Sequence, residues 1–350
     1  MNQEAMADPI TERLPVLEGL RGVLSLWVLV YHVLTISGWW KILPAFVQGF
    51  GNGANAVDVF ILLSGFVITR LLLAKREPYF IFLFKRYARL FPVFLMCLIS
   101  ALAVQALGYM PIRFMPQDFP LLLAANVMLI HGAIPDSLIH GASGAILNPA
   151  WSISLEWQFY LVAPFLVALV SRGGMKFIVA SAACIVLYRM VAPNLVGYSD
   201  AFLPFKIQLF WIGIVSSLAY RWYSTNINRH RTGRVIVLAL LTTSILLLPY
   251  KQNVGLLIWI MVINILAGRS KMVSNFLGSD KMIFIGSISY PIYLVHEIII
   301  WTMIHFVSAL SIYGLIFLLL TVAFFTIFIS WVLHKAIEKP ANNFAKSLFG

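Results

Sequence analysis

The chain has 350 residues, of which 61% are hydrophobic and only 11% charged, and its mean hydropathy is +0.90. Soluble domains average about 25% charged residues, so this composition excludes an ordinary soluble enzyme and points to a membrane protein. The formal net charge of +12 calls for no nucleic acid, because loops between membrane spans account for it.

The opening residues, MNQEAMADPITE, are polar and carry no leading basic cluster, and no small-residue cleavage pattern follows. No removable signal peptide is expected, so the first helix stays. Apolar runs of about 20 residues, some shorter, are long enough to cross a bilayer. They occupy 21–40, 55–74, 88–108, 151–170, 175–192, 202–221, 233–250, 254–268, 282–306 and 312–334. A further run, 119–131, is too short to cross comfortably and reads as a half-helix or re-entrant segment. With the N-terminus in the cytoplasm and 119–131 not crossing, 20 of the 25 Lys and Arg residues fall on the cytoplasmic side, as the positive-inside rule requires. The expected fold is therefore all-α and polytopic, with ten transmembrane helices and both termini cytoplasmic. Residues 1–350 read as one domain without internal repeat. Cys97 and Cys184 each sit in an apolar run and read as small fillers rather than metal ligands.

Ionisable groups at depth are costly and usually line a cavity. In RGVLSLWVLVYH, Arg21 and His32 are eleven residues apart. That is a rise of about 16 Å and nearly three helical turns, so both fall on one face. His32 reads either as a histidine hydrogen-bonded to a neighbouring helix or as a general base. Arg21 either snorkels to lipid phosphates or serves the same stripe. In FKRYARLFP, Arg86 and Arg89 are one turn apart, a fork for phosphates or a simple helix anchor. Glu156, in WSISLEWQFY, lies in a helix entered from the outside and either ties two helices together or acts in chemistry. Asp58, an interfacial cap or an acceptor contact, and His296 beside Glu297 fall in outer halves as well. Trp151 and Tyr160 suit either an interface belt or the C–H face of a sugar. Acids and histidines are thus expected outside, cations at the inner rim. Such polarity fits an anionic component from the cytoplasm and a hydroxylated one from outside or from the lipid.

Six stretches in order, LEGLRGVLSLWVLVYH (17–32), VDVFILLSGFVITRLL (57–72), FKRYARLFP (84–92), WSISLEWQFY (151–160), SISYPIYLVH (287–296) and IEKP (337–340), resemble the integral-membrane acyltransferase family 3. This bacterial group O-acylates surface polysaccharides and other extracytoplasmic acceptors. The Arg-x10-His spacing, the Ser64–Gly65 pair and the WSxxxE block carry the resemblance, which runs from 17 to 340. It implies a ten-helix core in the bacterial inner membrane and an acyl-CoA donor, usually acetyl-CoA, on the cytoplasmic side, with no metal. It also implies His32, Arg21 and Glu156 as catalytic residues, and Arg86, Arg89, Arg21 and Ser64 on the donor side. Asp58, Trp151, Tyr160 and His296 are expected around a polysaccharide, oligosaccharide or lipid-linked sugar. Two departures stand out: Glu18 replaces the usual Asp before Gly-Leu-Arg, and Trp157 replaces a second acid after Glu156. The chain ends at Gly350 without the periplasmic hydrolase-like domain of many relatives, so transfer is expected within the membrane core or with a glycan-assembly partner. A homo-oligomer is compatible with this reading. So are direct transfer and a route through an acylated His32. The competing class is a proton-coupled transporter or flippase of a glycan or glycolipid, in which His32, Glu156 and His296 relay protons.

Overall fold

The computed structural model describes residues 14–75, 77–191, 197, 199–225, 253–307 and 311–349. All regular structure among the described residues is helical. Helix α1 (Pro15–Ile36) opens with a proline in its first turn and Glu18 near its positive end. A short α2 (Ala45–Phe50) leads to α3 (Gly53–Ala74), where the Asn52 side chain accepts from the Ala54 N–H at 2.9 Å and caps the helix. Helix α4 (Tyr79–Ala106) begins well before the expected residue 88. Lys85, Arg86 and Arg89 therefore lie two to three turns inside a helix, not at its rim. Next comes α5 (Phe119–Val127), whose nine residues span only about 14 Å, the half-helix anticipated for this run.

Helix α6 (Trp151–Val191) runs for 41 residues with a break at Gly174. Straight, it would measure about 60 Å, twice the hydrocarbon thickness of a bilayer. Instead the chain turns back. On one side of the break Phe159 stacks on Phe210 of α7 (Leu203–Thr225) with ring centroids 4.0 Å apart. On the other side Ser181 accepts from the indole N–H of Trp211, next along α7, at 2.9 Å. Both arms thus reach one level of the same neighbour. Gly174 makes the turn at φ 57, ψ −154, a region essentially reserved for glycine. This hairpin corresponds to the expected spans 151–170 and 175–192.

The C-terminal part comprises α8 (Asn253–Leu266), α9 (Lys271–Leu277), α10 (Asp280–Ser287), α11 (Ser289–Met303) and α12 (Ile312–Leu333). A π-helical turn, His334–Glu338, then enters α13 (Lys339–Ser347). The bends are 100° between α8 and α9 and 65° between α10 and α11. Among the described residues six helices are long and apolar enough to cross a membrane, or up to eight if each bent pair is one span. The expected span 233–250 lies outside the described residues. Phe317, Leu320, Phe324 and Phe328 of α12 stand exposed, an apolar face suited to lipid. Helices α3 and α7 meet backbone to backbone: a Cβ on Gly65 would lie 2.3 Å from the Phe210 carbonyl oxygen, and one on Gly213 would lie 2.2 Å from that of Leu62. Small residues permit such contact where apolar burial alone gives helices no preference for each other over lipid. The chain is a multi-pass membrane protein.

Candidate active site

Helices α1, α3, α4, α6, α7 and α11 line a cavity of about 70 Å³ whose polar lining includes Arg21, Ser64, Arg89, Glu156, Tyr160 and Tyr293. Glu156 is its central acid. One carboxylate oxygen, Oε1, accepts from Ser64 Oγ at 2.8 Å and from the Tyr160 hydroxyl one turn along the helix. Its other oxygen makes no hydrogen bond among the described residues and is not sealed from the cavity. Further round the wall, Ser152 Oγ donates to the Tyr293 hydroxyl at 2.9 Å, and the Tyr290 hydroxyl donates to the Leu90 carbonyl at 2.6 Å.

The expected separation of outer acids from inner cations does not hold for Glu156. The Tyr79 hydroxyl, at the start of α4, donates to the Leu161 carbonyl of α6 at 2.9 Å. Residues just before Leu161 therefore lie level with the first turns of α4. Glu156 consequently shares the cavity with Arg21 and Arg89. Two features bring this about. Helix α4 starts early, and α6 starts deep, because the preceding connection packs Ile146, Leu147 and Ala150 into the core.

Three guanidinium groups gather here without counter-ions in contact. Among the described residues Arg21, Arg86 and Arg89 make no ion pair. The Nε atoms of Arg21 and Arg86 are buried and lack any hydrogen-bond partner. The Arg86 guanidinium lies over the face of Phe82, 5.9 Å from guanidinium carbon to ring centroid. Glu156 and Glu338 interact with Arg21 and Arg89 only at longer range, and Glu338 is taken up by His334 Nδ1 at 2.8 Å. Partly buried cations left without a partner are costly, and an anionic ligand would offset that cost. The loop ahead of α4 is tied to that helix: Glu77 accepts from Lys85 at 2.8 Å and pairs with Lys75 at 3.1 Å. Burial alone would raise the pKa of the Glu77 carboxyl. The two ammonium donors outweigh burial and hold it below its ordinary value.

His32 does not line this cavity. Half-buried on α1, it lies one layer away. The cavity residue Tyr293 packs 6.0 Å from the His296 ring, and His296 Nε2 lies 3.1 Å from His32 Nδ1. The other expected acceptor residues are not assembled around the cavity. Asp58 is buried against Lys206 at 2.9 Å, with Asp200 also 3.8 Å from that ammonium, while Trp151 is partly buried at the first turn of α6. Only Tyr160 of that group lies on the wall. Sequence reasoning missed Ser152, Tyr290 and Tyr293, although all belong to the two blocks quoted above. A helical count places 289, 293 and 296 on one face and would have singled out Tyr293. It also missed the pairing of buried Glu297 with Arg113, 3.3 Å apart, which the Trp301 N–H joins at 3.3 Å. Those groups are 184 residues apart in the chain.

The sequence profile of the acyltransferase 3 family, described as an acyltransferase domain, matches residues 14–335. Curated relatives include the O-acetyltransferase OatA of Staphylococcus aureus strains NCTC 8325 / PS 47, COL and MRSA252. Each is 23% identical over 363 aligned positions, covering 93% of this chain. The chain spans only 57% of the length of these relatives. No solved structure matches it. With the profile covering nearly the whole chain and five of the six stretches quoted above contributing residues to one cavity, the protein belongs to the acyltransferase 3 family of membrane enzymes.

Proposed function

We propose that this protein moves an acetyl group from acetyl-CoA, supplied at the cytoplasmic face, to a hydroxyl of an extracytoplasmic or lipid-linked carbohydrate. The observation that carries this reading is the cluster of Arg21, Arg86 and Arg89, partly buried and without ion-pair partners among the described residues. Guanidinium groups grip phosphate through forked donors, which suits the phosphates of CoA. Arg21 and Arg89 line the cavity, so the phosphates belong beside them at its inner mouth. From there the pantetheine arm follows the α1 stripe past Ser64 and Glu156 towards His32. His32 takes the acceptor hydroxyl's proton while the oxygen bonds to the thioester carbon. The carbon–sulfur bond breaks, and the leaving thiolate takes up a proton. The relatives named OatA support an acetyl group as cargo. The reading also carries the ten-span topology in a bacterial inner membrane.

The test is thermal unfolding of the purified protein with and without CoA. Saturation at a hundredfold excess over Kd stabilises a folded protein by about 2.7 kcal/mol. Wild type should gain stability, and an Arg86→Ala, Arg89→Ala double variant should gain little. A wild-type protein indifferent to CoA would point to the transporter class instead. The acceptor is identified by comparing, by NMR, the surface glycan of wild-type and deletion cells for a missing ester.

A further inference from the structure

The hydrogen bonds around the paired imidazoles fix which nitrogen of His32 is free. His296 is fully buried, and its Nδ1 lies 3.2 Å from the Ile292 carbonyl oxygen. A carbonyl only accepts, so Nδ1 of His296 carries the hydrogen, and in the neutral ring Nε2 is bare. That bare nitrogen faces His32 Nδ1 at 3.1 Å. Viewed from the other ring, His32 Nδ1 also lies 3.0 Å from the Val28 carbonyl oxygen, again an acceptor only. Both ends thus require the same assignment: His32 Nδ1–H donates, shared between Val28 O and His296 Nε2. The opposite tautomer would set a lone pair against each carbonyl. It follows that His32 Nε2 holds the free lone pair. This atom has no hydrogen-bond partner among the described residues and is not among the sealed polar atoms.

We propose that His296 is a positioning residue for His32, and the proposal rests on the acetyl-transfer reading above. By accepting from Nδ1–H, the His296 ring locks His32 in the tautomer that presents Nε2 as the base. It also fixes the ring plane, the centroids being 4.9 Å apart at 43°. When Nε2 takes the hydroxyl proton, the new imidazolium keeps its Nδ1–H bond to His296, and no second proton needs to move. Glu297 and Arg113 are the charged groups that act on His32, and their own pairing at 3.3 Å leaves this assignment undisturbed. His296 is then no sugar contact, since its Nε2 is already engaged.

The experiment compares His296→Gln with His296→Asn. A glutamine oxygen reaches the place of Nε2 and accepts from His32, whereas an asparagine oxygen reaches only the place of Nδ1. Membrane vesicles carrying each variant are given [14C]acetyl-CoA, and label entering the glycan and glycolipid fraction is followed. His296→Gln should keep kcat within about tenfold of wild type, while His296→Asn should lose about 10²-fold or more, as bases in the wrong tautomer do. Both should keep the KM for acetyl-CoA, which also reports that they fold. Equal rates for the two variants, or a faster asparagine, would overturn the assignment. His32→Ala separates the layers. If it transfers at a normal rate, the parent reading fails; if it is inactive but the two His296 variants do not differ, only the positioning claim fails.

Discussion

At Glu156 one oxygen accepts two hydroxyl hydrogens, and the neighbouring guanidiniums stay out of contact. A carboxamide can keep both bonds by turning its oxygen towards Ser64 and Tyr160, so Glu156→Gln removes charge while sparing geometry. Acetyl transfer in this variant should fall by about 10²-fold if the charge orients imidazole or acceptor, a loss typical of general acid–base partners. Ser64→Ala removes a single hydrogen bond, worth about 1 kcal/mol, and should slow transfer less than tenfold. Steady-state rates with labelled acetyl-CoA check both. The sequence made Glu156 legible because a lone carboxylate among Trp, Leu and Phe is costly. Its partner Ser64 was legible only as a motif letter, since 92 residues separate the two. The ion pair of Asp58 was not legible for the same reason: Lys206 stands 148 positions away, and no local pattern announces a pair at that range.

Helices were legible as lengths of apolar chain, and their ends were not. In α4 the count began at 88 because Lys85 and Arg86 interrupt the apolar run, yet YFIFLF ahead of them continues the same helix from Tyr79. The Glu77 clamp on Lys85 and Lys75 holds that early start. Its carboxyl has a lowered pKa in the fold, so its stabilisation is present above the unfolded value of about 4.3 and is lost as pH falls through the lower folded value. Glu77→Gln should therefore lower thermal stability at pH 7, and the gap to wild type should close on acidification. Differential scanning fluorimetry across that range measures it. The hairpin of α6 depends on Gly174 in a conformation closed to other residues, and Gly174→Ala should cost about 1–3 kcal/mol, read as a lower unfolding midpoint. At the α3–α7 contact, Gly65→Ala would drive a methyl into the Phe210 carbonyl and should destabilise by a similar amount, about 1–3 kcal/mol.

For the molecule as a whole, charge asymmetry and apolar runs were enough to read a polytopic helical protein with a half-helix at 119–131. Depth was not legible, because it depends on how far the 107–150 connection sinks into the core before α6 begins. The burial of Ile146, Leu147 and Ala150 brings Glu156 down to the arginines and turns two expected layers into one cavity. The proposed topology predicts that single cysteines at Ser171 and Ser279 react from the cytoplasm, and those at Asp136 and Asp200 from the opposite side. Membrane-impermeant maleimide on intact cells and on inverted vesicles, in a background lacking Cys97 and Cys184, reads the sidedness directly. The account as a whole rests on a thioester donor entering from the inner face and an imidazole on α1 receiving the hydroxyl proton. Labelled acetyl-CoA supplied to inverted vesicles should yield alkali-labile acetyl esters on glycan or glycolipid with wild-type protein and none above background with His32→Ala. Undiminished ester formation by the folded His32→Ala protein would contradict it.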